Sequence, residues 1–384
     1  MNNSIEVKKG KISELTRRVK VGFVGTCEKY YTDEKKYPMI RTTNLSETGI
    51  NYDDLKYVTE EFYINNKKSQ LHDGDVLIAR FGTSGTACVY HGGDAQCLNA
   101  IIVEPNCENT IPEYLAIVIN SRKVREQVNR RIVGSTQAIL NTKVLSDIEI
   151  ELPDLNEQKR ICDILFGIRK VIVQRIDEIG RLDELIKARF VEMFGDGYPE
   201  DSLINLCNII DYRGKTPKKV ESGLPFITAK NIKMHHMSME PREYISKDTY
   251  DKVMVRGFPK EGDVVFTTEA PLGNVCRIPH FDTEFYIGQR IVTLQTVKLI
   301  PAYLEYAVST DAFRQKYMEK SSGSTVTGIR VRLLEQLTIP VPPRELQLQF
   351  EAFVKQVDKS KSVVQKSLNE AQMLFDSLMQ EYFG

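Results

Sequence analysis

The sequence has no tryptophan, no Cys-x-x-Cys pair, no apolar run approaching twenty residues and no surplus of charge. Every absence but the first excludes something. Without about twenty consecutive apolar residues, no helix spans a bilayer. The opening MNNSIEVKKGKISELTRR lacks the apolar core of a signal peptide, so a cytoplasmic protein is expected. Seven scattered cysteines, an odd number, fit a reducing compartment better than a disulfide framework. With 52 Lys+Arg against 52 Asp+Glu, a nucleic-acid partner would need basic groups gathered locally. Low-complexity linkers are missing as well. What remains is a chain of 384 residues, 41% apolar and 27% charged, with room for two or three cores.

What is present is a repeat. PMIRTTNL at 38–45 returns as PFITAKNI at 225–232, GDVLIAR at 74–80 as GDVVFTT at 262–268, and GTACVY at 85–90 as GNVCRI at 273–278. Tyr114-Leu115 matches Tyr303-Leu304, Gly134-Ser135-Thr136 matches Gly323-Ser324-Thr325, and IEIELP at 148–153 matches LTIPVP at 337–342. The offset drifts from 187 to 189 and then stays constant, so insertions sit in loops. Short β-branched runs bounded by Gly, Asn and Asp predict strands at 38–42, 76–80, 86–90 and 98–104, repeated at 225–229, 264–268, 274–278 and 286–295. Helical spacing after Pro112 and Pro301 predicts one or two helices over 112–130 and 301–318.

Each copy ends in about forty residues without internal proline. One seam holds Ile161, Leu165, Ile168, Ile172, Arg175, Ile179, Leu182, Ile186, Arg189 and Met193. Adding 189 to each position gives the other, from Phe350 to Tyr382. Of these twenty positions 17 are apolar, a heptad pattern that calls for a partner helix. Each helix would be about 60 Å long at 1.5 Å per residue. The first leads into the second globular part, and the second buries its seam by running back. The expected fold class is therefore α+β, with two mixed α/β globular domains joined by two long antiparallel coiled-coil helices as a pseudo-twofold tandem repeat. Lys361 interrupts the seam, and two readings stand for it. Either its stem snorkels outward, or it sets register against Glu178.

Candidate ligand-facing residues fall in matching places. Residues 121–143 carry six Lys/Arg against one Glu, including Arg130 and Arg131; residues 310–332 carry five against Asp311 and Glu319, including Lys320 and Arg330. Arg213, Lys215, Lys218 and Lys219, with Thr216, form a stretch without acids. Local positive charge in a neutral chain suits phosphate contacts, and a solvated helix face is the plain alternative. Ser135, Thr136, Gln137, Ser324 and Thr325 lie beside these clusters, where they could bond phosphates or base edges or simply form turns. Arg41, Thr43, Asn44, Arg80, Ser84, Lys230, Asn231 and Thr268 follow β runs. There a strand delivers polar side chains to a loop, for base contacts (Arg suits guanine, Asn suits adenine) or for strand-end hydrogen bonds. Tyr30 and Tyr31 either lie along a nucleic acid or pack.

Tests for chemistry fail. No [ND]PP[YF] tetrapeptide exists; Val341-Pro342-Pro343-Arg344 does not fit. RGKT at 213–216 resembles a P-loop end, but Ile209 stands where glycine is required. Pro153-Asp154 with Glu157 and Lys159 imitates a nuclease signature compressed onto one helix start; a helix cap at Asp154 is the better reading. Cys88, His91, Cys97 and Cys107 lack paired zinc-ligand spacing. No catalytic and no metal-binding residue is expected.

The order GDVLIAR/GDVVFTT, DYRGKTP at 211–217, GST, a strand, LPDLNEQKRI and a helix ending in MFGD, duplicated along the whole chain, resembles the specificity subunit of type I restriction-modification systems. The domain bounds then read 1–153 for a first target recognition domain and 154–195 for the first long helix. A second recognition domain covers 196–342 and the second long helix 343–384. The resemblance implies sequence-specific binding of double-stranded DNA, each domain reading half of a bipartite, asymmetric site. The helices set the spacer and dock two modification (methyltransferase) subunits, with restriction/translocase subunits joining them. It implies no cofactor in this chain; S-adenosylmethionine, ATP and Mg would belong to those partners. The competing reading is a non-catalytic architectural adaptor that holds protein partners through its rod without reading DNA.

Overall fold

The computed structural model describes residues 7–80, 85–132, 139–195, 197–214, 217–296, 298–322 and 327–384. The chain forms two compact units, Met1–Ile176 with Lys366–Gly384, and Asp177–Gln365. Each unit thus takes part of both long helices.

The first unit is built on β1 (Lys8–Lys11), β2 (Thr16–Val21), β3 (Tyr37–Arg41), β4 (Lys56–Val58), β5 (Val76–Ala79), β6 (Ala87–Val89), β7 (Ala95–Leu98) and β8 (Ala100–Pro105). Helices α1 (Pro112–Asn120) and α2 (Arg122–Ile132) and strand β9 (Glu149–Leu152) follow, then α3 (Leu155–Phe194). An antiparallel sheet runs β6-β5-β8-β2. A second sheet contains β4-β3-β7, with β3 and β7 parallel. The apolar run of GDVLIA has a simple cause. Val76, Ile78, Ile101 and Val103 pack under Leu115, Ile119 and Val124, while Leu77, Ala79, Ala100 and Ile102 pack with Ile40, Leu71 and Cys97. A strand buried on both faces loses its polar alternation.

The second unit repeats the plan with β10 (Glu200–Ser202), β11 (Cys207–Asp211), β12 (Leu224–Ile227), β13 (Val264–Thr268), β14 (Leu272–Arg277), β15 (Tyr286–Ile287) and β16 (Ile291–Thr296). Helices α4 (Pro301–Ala307) and α5 (Asp311–Glu319), strand β17 (Thr338–Pro340) and helix α6 (Arg344–Phe383) complete it. The sheet order β11-β16-β13-β14 copies that of the first unit, as does the parallel pair β12/β15. Val264, Phe266, Val292 and Leu294 face the helices, whereas Val265, Cys276 and Ile291 face the other core.

The start of each long helix is pinned by a buried glutamine. Gln158 Oε1 accepts from Ile111 N at 2.9 Å, and its Nε2 donates to the Asn109 and Pro153 carbonyls, both at 2.8 Å. Gln347 bonds Ile300 N at 2.9 Å and the Pro342 carbonyl at 2.8 Å. Asp154 caps α3, its Oδ1 accepting from Glu157 N at 3.0 Å.

All twenty seam positions are buried or half-buried. In the first unit Arg160 lies over Tyr382 and Arg169 over Phe375; in the second Arg189 lies over Phe353 and Phe190 meets Phe350. Within the first unit, then, numbering rises along α3 as it falls along α6, so the paired segments are antiparallel. The second unit agrees, since Lys361 on α6 pairs with Asp183 on α3. That acid lies five residues beyond the expected Glu178.

Candidate nucleic-acid interface

In each unit a short crossover links the two sheets, and polar strand ends gather around it. In the first unit the crossover is Leu98-Asn99-Ala100. Leu98 pairs with Arg41 at the end of β3, and Ala100 pairs with Ala79 at the end of β5. Asn99 takes a left-handed backbone, φ 57°, and its carbonyl accepts from Thr42 Oγ1 at 2.7 Å. The carbonyl of Arg80, next after β5, accepts from Leu140 N at 3.2 Å, and Arg80 Nε donates to the Leu140 carbonyl at 3.2 Å. Arg41 is held by Asp54, Nη2 to Oδ2 at 3.0 Å, and this guanidinium keeps the Asp54 carboxyl below its usual range.

The second unit places the same frame around Thr268, the counterpart of Arg80. Ile329 N donates to the Thr268 carbonyl at 2.9 Å, as Leu140 does to Arg80. The arginine now comes from another strand, since Arg213, beyond β11, donates from Nη2 to Thr268 Oγ1 at 3.3 Å. Arg256 braces it, Nη1 donating to the Asp211 carbonyl at 2.8 Å and the Arg213 carbonyl at 3.2 Å. Arg290, at the crossover, accepts from Thr268 N through its carbonyl at 2.9 Å. Its Nε sits 2.8 Å from Glu269 Oε1. Arg256 and Arg290 escape a sequence reading because each stands alone between apolar runs. The Arg213 stretch and Glu269 beside Thr268 were the only local hints.

Three expected readers face inward, which corrects the strand-end base contacts foreseen for them. Asn44 is buried; its Oδ1 accepts from Arg41 N at 3.0 Å and Nε at 3.3 Å, and its Nδ2 donates to the Asn51 carbonyl at 3.1 Å. Asn231 is buried likewise, with Oδ1 accepting from Thr228 N and Oγ1 at 2.9 Å. Its Nδ2 donates to the Ser238 and Pro241 carbonyls at 3.0 Å. These amides spend their hydrogen bonds on the turn, so neither offers the fork that adenine needs. Thr268 is 1% exposed and anchors Arg213.

Thr43, Lys218, Lys230, Lys320 and Arg330 are exposed. Lys219 pairs with Glu243 at 2.7 Å. The basic helix α2 is less positive than its sequence, because folding brings Glu47 to Arg125 and Glu151 to Lys123. Glu126 lies 3.6 Å from Arg130, and Arg131 bonds the Gln127 carbonyl at 3.3 Å. Tyr30 packs on Phe62 at 5.1 Å, and Tyr31 accepts from Cys27 Sγ at 3.6 Å. Ser84, Ser135, Thr136, Gln137, Lys215, Thr216, Ser324 and Thr325 lie outside the described residues.

The residues weighed for chemistry are engaged in structure. Glu157 pairs with Arg160 at 2.6 Å. Cys88 and Cys97 are buried strand residues whose thiols burial pushes up to about 12. Among the described residues no group of three or more His, Cys, Asp or Glu is placed to hold a metal, and no helix is long and apolar enough to cross a membrane.

The sequence profile of the type I restriction modification DNA specificity domain matches residues 8–181 and again 201–373. Specificity subunits of the type I restriction enzymes MjaX and MjaVIII from Methanocaldococcus jannaschii are similar. The first is 24% identical, covering 90% of this chain and 86% of its own. The second is 21% identical, covering 90% and 85%. The crystal structure of a type I restriction-modification S subunit from M. genitalium shares the fold at TM-score 0.59 and 15% identity, covering 100% of this chain and 98% of that one. A chain from a structure addressing complex assembly and conformational transition of the type I R-M system gives TM-score 0.53 at 18% identity, covering 98% and 97%.

Proposed function

The chain belongs to the type I restriction modification DNA specificity domain family, which it matches twice in tandem, and we propose that it is the sequence-reading subunit of a type I restriction-modification complex. Each unit reads one half of a bipartite, asymmetric site in double-stranded DNA. The observation that carries this reading is the shared frame at the crossover. In both units an arginine is held at this frame, Arg80 itself on the Leu140 carbonyl and Arg213, from beyond β11, on Thr268, the counterpart of Arg80. One scaffold that presents different side chains is what two different half-sites require.

In this reading Arg80, Arg213 and Arg256, with exposed Arg130, Arg131, Lys218, Lys230, Lys320 and Arg330, approach phosphates and base edges. The long helices act as the spacer and dock two modification subunits. Methyl transfer, with S-adenosylmethionine, and ATP- and Mg-dependent translocation and cleavage reside on partner subunits, and this chain does no chemistry of its own. Footprinting of the assembled complex tests the reading. The expected result is two short protected blocks separated by an open gap. A single continuous block, or protection independent of sequence, overturns it.

A further inference from the structure

The Glu269–Arg290 pair is unusual for a surface that approaches DNA, since it brings a carboxylate among arginines. Both side chains are about half exposed, 41% for Glu269 and 52% for Arg290. Both backbones are held firmly. Arg290 lies between Gly288, whose N donates to the Ile227 carbonyl at 2.8 Å, and Ile291 at the head of β16. Glu269 bridges Gly328, where a side chain's Cβ would stand 3.1 Å from Glu269 Cβ and 3.2 Å from the Thr268 carbonyl. Ala270, directly after Glu269, has φ 47°, so the chain turns sharply there.

Geometry divides the guanidinium. Glu269 Oε1 stands beside Nε at 2.8 Å, so the carboxylate engages the guanidinium at Nε and the Nη1/Nη2 edge is the one left for another partner. That edge carries two parallel N–H donors, the fork that meets O6 and N7 of guanine in the major groove. A phosphate is a poorer target, because it would bring a second negative charge close to the Glu269 carboxylate. A guanine edge is neutral and carries no such penalty. In the first unit the crossover holds Leu98-Asn99-Ala100 and no arginine, so this contact belongs to one half-site only.

We propose that Arg290 reads a guanine in the half-site of the second unit and that Glu269 is the positioning residue that aims it. This rests on the DNA-reading function proposed above. The test is to map the methylated sites of cells carrying the complete system with native or variant chain. The native chain is expected to give a split motif with a guanine in the half read by the second unit; no split motif would sink the DNA-reading function itself. Given that motif, Arg290→Ala and Arg290→Lys should each lose discrimination at one position of that half, on the order of tenfold or more, with the other half unchanged. Lysine keeps the charge and loses the fork. If Arg290→Lys kept full discrimination, or both variants weakened methylation evenly across all sites, Arg290 would be a phosphate contact and the proposal would fall. Glu269→Ala should relax the same position, while Glu269→Gln, which keeps the size of the side chain and an amide oxygen beside Nε, should restore most of it. Relaxation at a different position would mean that Glu269 itself reads a base, and would overturn its positioning role. Both sites are exposed, so melting temperatures of all variants should stay at the native value.

Discussion

Gln347 Oε1 accepts the backbone N–H of Ile300 at 2.9 Å. The bond joins the first turn of α6 to the entrance of α4, where Pro301 follows and the N–H has no helical partner of its own. Gln347 is 1% exposed. Gln347→Leu keeps the volume and strands both Ile300 N–H and the Pro342 carbonyl, which costs about 1–3 kcal/mol for a buried unsatisfied group. Urea denaturation of the full chain should show the unfolding free energy falling by that amount, with the midpoint lowered in proportion. An unchanged midpoint would show that water replaces the amide.

Glu305 is buried between Arg277, at 2.6 Å, and His235, at 2.9 Å. The first unit has Ala116 and Val89 at the matching positions. Glu305→Ala alone leaves Arg277 only the more distant Asp358, 3.4 Å from Nη2, and should cost about 1–3 kcal/mol. The double variant Glu305→Ala/Arg277→Val installs the pair of the other unit and should cost less than the two single changes together. A double-mutant cycle of unfolding free energies measures the difference, and strict additivity would count against the coupling.

Asn44→Ala and Asn231→Ala separate turn-building from base reading. Each should lower stability by about 1–3 kcal/mol through unpaired backbone groups. Neither should alter which bases are specified. A changed methylation motif in either variant would show that the amide leaves its turn to read DNA.

Glu200 provides a pH test. The Lys316 ammonium and the Thr338 hydroxyl hold its carboxyl below the usual 4.5. A depressed carboxyl stabilises the fold above its unfolded value, and that contribution is lost as pH falls through the folded value. Both partners are partly exposed, so the effect at neutral pH is at most about 1 kcal/mol. Glu200→Gln should melt about 2 °C lower than the native chain at pH 7. The gap should close as pH falls below the usual 4.5 and through the lowered folded value. A gap that persists in acid would show that the hydrogen bonds, rather than the charge, carry the effect.

Removing one heptad from α3 and the matching heptad from α6 keeps the seam in phase. The spacer reading expects the gap between half-sites to shorten while both half-site sequences remain. Methylation mapping reads both at once, and an unaltered gap would exclude the helices as the ruler.

The duplication, the antiparallel long helices, the strands β5 and β13 and the Asp154 cap were legible in the sequence. Each depends on periodicity or on neighbours within a few residues, and apolar spacing reports directly which face is covered. Side-chain direction at strand ends was not legible in that way. Asn44 and Asn231 match the pattern of adenine readers, yet tertiary contacts with Asn51, Ser238 and Pro241 turn them inward. The charge of α2 looked one-sided until Glu47 arrived from a distant turn and Glu151 from strand β9. Only folding decided that Arg213 bonds Thr268, the counterpart of Arg80, and that Arg290 meets Glu269. Polar partnership is set by which loops converge in space, and no local spacing records that convergence.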